Sequence, residues 1–187
     1  MKLITGLGNP DKKHENTRHN TGFMCIDVIR DQFLYQKDIC VTEWKKEKTF
    51  NSKLSFLKHG SRIVAIFQKP LTYMNNSGEA VQKLIKKYEI EDLRDNFILI
   101  HDDLDIELGK FKIQIGKSPK GHNGVNDVIQ KLKTDEFMTV RVGIESRQNR
   151  KIEGEDFVLM NFSADERLVL DEVMEDIARA LLAEILL

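Results

Sequence analysis

Four short segments of the chain collect side chains that can move protons or hold a polar ligand. The first runs from Gly8-Asn9-Pro10 to Thr17-Arg18-His19-Asn20. A lone histidine is more often a satisfied polar side chain than a catalyst. His19, however, stands just before a predicted helix, where a tuned imidazole can act as a general base. The second is Lys69-Pro70-Leu71-Thr72-Tyr73-Met74-Asn75-Asn76-Ser77-Gly78. A loop leading into a helix capped by Ser77 would explain its end but not Tyr73-Met74-Asn75. An aromatic, a thioether and an amide together suit the wall of a mostly apolar pocket with a few hydrogen-bonding groups. The third, His101-Asp102-Asp103-Leu104-Asp105, follows an apolar run. It can be read as a metal site or, more economically, as one carboxylate, Asp102, orienting a histidine from elsewhere. The fourth, Gly116-Lys117-Ser118-Pro119-Lys120-Gly121-His122-Asn123-Gly124, is either an ordinary turn or a cradle for phosphate or backbone ahead of a helix N-terminus.

These segments need elements to hold them. Lys2 to Leu7 reads as a first strand stopped at Gly8-Asn9-Pro10, and Thr21 onward carries apolar residues at helical spacing. Cys25 falls inside that helix and reads as packing. Lys53 to Leu57 and Arg62 to Gln68 flank His59-Gly60-Ser61 as a β-hairpin. A helix from Ser77 to Tyr88 follows, then a buried strand, Asn96 to Ile100, and a further strand, Phe111 to Ile115. Val125 to Leu132 predicts a helix, Met138 to Ile144 a strand, and Ala164 to Leu187 a long acidic amphipathic helix. Strands interleaved with helices, without a linker or internal repeat, predict a single α/β domain over residues 1–187. Its twisted mixed β-sheet would be covered by helices on both faces.

Composition narrows the classes. The 187 residues are 41% hydrophobic and 32% charged, which suits a folded domain rather than a disordered or collagenous chain. No run nears the ~18 apolar residues of a membrane span. The opening Met-Lys-Leu-Ile-Thr-Gly-Leu-Gly breaks at two glycines before a signal-peptide core could form. Cys25 and Cys40 make neither a disulfide framework nor a metal-type spacing. The expected address is the cytoplasm, with no membrane partner. The net charge of −1 conceals a split: residues 110–151 hold 10 basic and 4 acidic side chains, residues 152–187 hold 2 and 10. Helices and turns with solvated charges would account for this, as would a basic patch facing phosphates. A dinucleotide fingerprint at Gly6-x-Gly8 fails, because Pro10 interrupts the turn and position 11 is Asp.

Taken together and in order, the segments resemble bacterial-type peptidyl-tRNA hydrolases. The matching pieces are Gly6-Leu7-Gly8-Asn9-Pro10, Thr17-Arg18-His19-Asn20-x-Gly22-Phe23, Lys69-Pro70-x-Thr72-Tyr73-Met74-Asn75-x-Ser77-Gly78 and His101-Asp102-Asp103-Leu104-Asp105. Gly121-His122-Asn123-Gly124, Arg141-Val142-Gly143-Ile144 and, more weakly, Phe157-Val158-Leu159-x-x-Phe162 complete the set. The resemblance implies a monomer that uses no metal or cofactor to hydrolyse the ester joining a peptide to the 3′ ribose of tRNA. It implies His19 as general base and Asp102 as its partner. Asn9 would read the acylated amino group, Asn75 and Asn123 would serve the substrate carbonyl or the water, and Tyr73, Met74 and His122 would line the pocket. Lys112, Lys117, Lys120, Lys133 and Arg141 would meet backbone phosphates without reading bases.

The chain departs from the pattern in places. His14 stands where a tyrosine is usual and is expected to take its place against the tRNA end. Gly143-Ile144-Glu145-Ser146-Arg147 replaces Gly-Ile-Gly-Arg-Pro, Gln114 replaces a basic residue, and Lys117 and Lys120 replace a glycine-rich run. Two competing readings stand beside this one: a metal-dependent hydrolase built on His101, Asp102 and Asp103, and an RNA-binding domain with a decayed site.

Overall fold

The computed structural model describes residues 1–116, 121–148 and 151–186. In chain order the elements are β1 (Lys2–Gly6), α1 (Thr21–Asp31), β2 (Ile39–Val41), β3 (Lys45–Glu47), β4 (Ser52–His59) and β5 (Arg62–Pro70). They continue with α2 (Ser77–Lys87), α3 (Leu93–Asn96), β6 (Phe97–Glu107), β7 (Phe111–Ile115), α4 (Asn123–Leu132), β8 (Met138–Glu145), α5 (Gly154–Val158) and α6 (Ala164–Leu186). The strands form one mixed sheet in the order β2-β4-β5-β1-β6-β8-β7, with β3 also paired to β4. Its centre is parallel: β1 lies between β5 and β6, and β6 pairs with β8. The flanking pairs β4·β5 and β7·β8 are antiparallel.

The apolar run of β6 shows why helices must cover both faces. Ile98 and Ile100 pack on one side with Cys25, Ile26 and Ile29 of α1 and with Leu170, Met174, Ile177 and Leu181 of α6. Phe97 and Leu99, alternating with them, pack on the other side against Val81 and Leu84 of α2 and Val125 and Val128 of α4. A period-2 strand with no polar face is stable only when each face finds an apolar partner. The α6 contacts fall at three- and four-residue steps, the single stripe of an amphipathic helix.

Three local expectations change. Ser77 is the first residue of α2 rather than its cap; the position before it is Asn76, and the Ser77 hydroxyl donates to the Met74 carbonyl at 2.9 Å. Strand β6 does not stop at Ile100 but continues through the His101–Asp105 segment, because pairing with β8 persists at His101↔Arg141, Asp102↔Val142 and Asp103↔Gly143. Helix α4 begins at Asn123, two residues early, because the His122 side chain caps it.

Candidate active site

The parallel strands β5, β1 and β6 deliver their C-terminal ends to one edge of the sheet, where open α/β folds place their ligands. Beyond β1 comes Asn9, beyond β5 the turn at Met74–Asn76, and toward the end of β6 stands Asp102. A turn at Arg18–Asn20 carries His19 into α1. Gly22 lets that helix start against the sheet: a Cβ there would lie 2.5 Å from both the Ile100 carbonyl oxygen and the Leu7 nitrogen. Gly124 plays the same part for α4, since a Cβ would sit 2.4 Å from Met74 Sδ. Two helix N-termini are thereby brought down onto the strand ends.

The result is a cavity of about 720 Å³ lined by Asn9, His19, Tyr73, Met74, Asn75, Asp102, His122 and Asn123, together with Asp103, Leu104, Asp105, Gly121, Gly154, Glu155, Val158 and Leu159. His19 Nδ1 lies 2.9 and 3.1 Å from the two carboxylate oxygens of Asp102. His122 Nε2 lies 3.0 Å from Asp102 Oδ1. The Val125 amide donates to His122 Nδ1 at 3.3 Å, so the His122 proton resides on Nε2 and is donated to Asp102. A buried carboxylate can only accept, so His19 presents Nδ1–H to it and keeps a lone pair on Nε2. Burial opposes the charge on Asp102, but the two imidazoles outweigh it and hold the carboxyl far below its usual range. Burial likewise pulls His19 down, and the Asp102 charge and hydrogen bond more than reverse it, leaving its pKa raised.

Asn9 is held on three sides. Its amide nitrogen donates to Asn20 Oδ1 at 2.8 Å, its carbonyl accepts from Asn20 Nδ2 at 3.0 Å, and its side-chain Oδ1 accepts from the Met74 amide at 3.0 Å. That last bond orients the side chain. Asn9 Oδ1 is engaged with the protein, and Nδ2, without a partner among the described residues, is the group offered to a ligand. Asn75 and Asn123 are exposed on the cavity wall.

Other expected residues lie elsewhere. His14 is not on the cavity; its Nδ1 pairs with Asp11 Oδ1 at 2.5 Å, and Asp11 also bonds Tyr73. Arg141 is mostly buried and tied to Asp103, its Nε 2.5 Å from Asp103 Oδ2. Lys117 and Lys120 lie outside the described residues. His122 does line the cavity, and both its ring nitrogens are spent on Asp102 and the α4 cap. The apolar wall of Leu104, Val158 and Leu159 goes beyond the residues expected from sequence; the weak Phe157-Val158-Leu159 match is the one signal that points near it.

The metal reading meets the wrong donors. His101 Nδ1 is turned to the Asp102 carbonyl at 2.7 Å and Asp103 is committed to Arg141. Burial pulls the His101 pKa down to about 4, with nearby His122 adding to the effect. The one cluster of metal-type ligands among the described residues is His19, Asp102 and His122. An ion there would have to displace the His122 Nε2 proton, which would leave a protonated Nδ1 facing the Val125 N–H.

Comparison with known proteins supplies the family. The sequence matches the peptidyl-tRNA hydrolase family model over residues 3–186. It is 42% identical over 169 residues to a peptidyl-tRNA hydrolase of Listeria welshimeri, covering 89% of this chain and 84% of the relative. It is 41% identical over 180 residues to one from Bacillus cytotoxicus, covering 96% and 90%. The crystal structure of peptidyl-tRNA hydrolase from Acinetobacter baumannii superposes with a TM-score of 0.85 at 26% identity, over 99% of this chain and 88% of that one. By sequence along almost its full length and by fold, the chain belongs to the peptidyl-tRNA hydrolase family.

Proposed function

We propose that this chain hydrolyses the ester between a peptide and the 3′ ribose of tRNA, with His19 as general base. The observation that carries this reading is the His19–Asp102 pair, which leaves the Nε2 lone pair of a cavity-lining imidazole free. A water hydrogen-bonded to Nε2 loses its proton as it attacks the ester carbonyl. Asp102 stabilises the imidazolium that forms, and the proton is then passed to the leaving ribose oxygen. Asn75 and Asn123 supply amide donors for the developing oxyanion. The enzyme works as a monomer in the cytoplasm, without metal or cofactor.

Asn9 supplies selectivity. Its Nδ2 donates to the carbonyl of the acyl group on the substrate's amino nitrogen. A free aminoacyl group has no such carbonyl and brings a charged ammonium that must shed water. An unsatisfied buried polar group costs about 1–3 kcal/mol, roughly 5- to 150-fold in rate or binding. Asn9→Ala is expected to slow hydrolysis of N-acetyl-aminoacyl-tRNA by that factor and to affect the free form much less. Asn9→Asp, which keeps the acceptor for Met74, loses the donor and adds a charge that suits an ammonium, is expected to narrow the preference for the blocked substrate at least as far. Specificity constants for both substrates decide the matter. An aspartate variant that discriminates like wild type would remove Asn9 Nδ2 from the mechanism.

The tRNA body is held by backbone charge. Lys112 and Lys133 are exposed, and with Lys117 and Lys120 they are proposed to meet phosphates; Arg141, tied to Asp103, is the weakest of the proposed contacts. Affinity for tRNA is expected to fall steeply with salt. Lys117→Ala combined with Lys120→Ala is expected to flatten the log–log slope by roughly one for each phosphate no longer neutralised and to raise KM for all tRNAs alike. A salt titration of binding that returns the wild-type slope would take these two lysines out of the phosphate path.

A further inference from the structure

Arg18, directly before His19, is buried at 3% exposure. Its Nη1 donates to the carbonyls of Met160 and Asn161 at 3.3 and 2.5 Å, and its Nη2 reaches both carboxylate oxygens of Glu166 at 2.7 Å. The guanidinium also lies 4.2 Å from the ring centroid of Phe157 and 4.8 Å from that of Phe162. Glu166 is in turn held by the Ser146 hydroxyl and the Ser163 amide. The Arg18 amide bonds the Met160 carbonyl at 3.0 Å. The turn that carries the base is thereby tied to the end of α5 and the residues after it, and that segment presents Val158 and Leu159 to the cavity.

A cation is an expensive way to fill this place. An apolar side chain between two phenyl rings would avoid the desolvation of a charge, and Arg18 Nε is buried without any partner among the described residues. What an apolar residue cannot do is hold two carbonyls and a carboxylate in set directions, which a planar forked donor does. Two residues after β8 join the same cluster. Ser146 binds Glu166, and Arg147 stacks 5.0 Å from the Phe157 ring on which Arg18 also lies.

We propose that Arg18 is a positioning residue of the hydrolytic reaction, setting the distance between His19 and the Val158–Leu159 wall so that a bulky aminoacyl side chain seats with its ester at the base. This rests on the hydrolase reading above. Loosening the clamp leaves the His19–Asp102 pair intact but lets the wall drift, so the loss grows with the side chain that the wall must seat.

The test compares Arg18→Lys and Glu166→Gln with wild type on N-acetyl-leucyl-tRNA and N-acetyl-glycyl-tRNA, across pH. For Arg18→Lys, kcat/KM is expected to fall about 10- to 100-fold on the leucyl substrate, the scale of side-chain discrimination in an apolar pocket, and less than about threefold on the glycyl one. Glu166→Gln, which keeps the arginine and the local shape, is expected to move the leucyl-to-glycyl ratio the same way by less. The pH midpoint of kcat should not move. Loss of folded enzyme lowers both rates together and cannot change the ratio. If wild type cleaves both substrates and neither variant alters the ratio, the clamp is overturned alone; if wild type cleaves neither, the hydrolase reading fails and the clamp with it.

Discussion

His19→Ala is expected to lower turnover of N-acetyl-aminoacyl-tRNA by about 10²- to 10⁴-fold, the range attributed to a positioned general base, while tRNA affinity changes little. The imidazole bonds Asp102 and lies 4.9 Å from the His122 ring, and His122 keeps its own bonds to Asp102 and to the start of α4 when His19 is removed. Of the proposed phosphate contacts, Lys112 lies on β7 and Lys133 just after α4. Binding by gel shift and single-turnover cleavage, measured on the same preparation, separate the two effects. Retention of wild-type turnover would remove His19 from the chemistry, and an equal loss of binding would make it a substrate ligand instead.

Asp102→Asn is expected to cost roughly 10²- to 10⁴-fold in rate and to shift the pH profile in a stated direction. Two N–H donors, from His19 and His122, converge on this carboxylate. Asparagine keeps the shape but turns one acceptor oxygen into a donor and removes the charge that stabilises the imidazolium. The sign follows from what holds the His19 pKa. Burial lowers it and the Asp102 charge raises it to a net increase, so the base form appears only above a midpoint higher than the ordinary histidine value of about 6.5. Without the charge, burial prevails. The acid limb of kcat/KM should therefore move to lower pH in the variant even as its height falls. A profile of unchanged midpoint would show that Asp102 is not the partner of His19.

Much of this arrangement can be read from the residues, and what cannot has a physical reason. The two-faced apolar run of β6 and the stripe of α6 are local patterns, and both elements stand where the sequence places them. That β6 carries on through Asp102 and Asp103 depends on pairing with β8, a contact across some 40 positions that no periodicity in three carboxylates reveals. The meeting of His19 with Asp102 spans 83 positions and is legible through the family resemblance alone. His122 stands out in the sequence, but its bonds to Asp102 and to the start of α4 do not, because residue type does not say which carboxylate an imidazole will find. That Asn9 would read the acylated amino group follows from the resemblance; that its Oδ1 is taken by the Met74 amide is a tertiary contact that the sequence does not show. The charge excess of residues 110–151 overstates the cation available to RNA, since Arg141 is paired with Asp103, Lys110 with Glu107 and Arg147 with Glu145.

Whether this chain is a proton-transfer esterase for blocked aminoacyl-tRNA is decided by one incubation. Purified protein in excess EDTA is given N-acetyl-aminoacyl-tRNA and free aminoacyl-tRNA side by side, and release of the acyl group is followed. Rapid release from the blocked substrate, slow release from the free one, and no loss of rate with chelator are expected. Binding of both tRNAs without cleavage, equal cleavage of the two, or activity that chelation abolishes and zinc restores would contradict the mechanism.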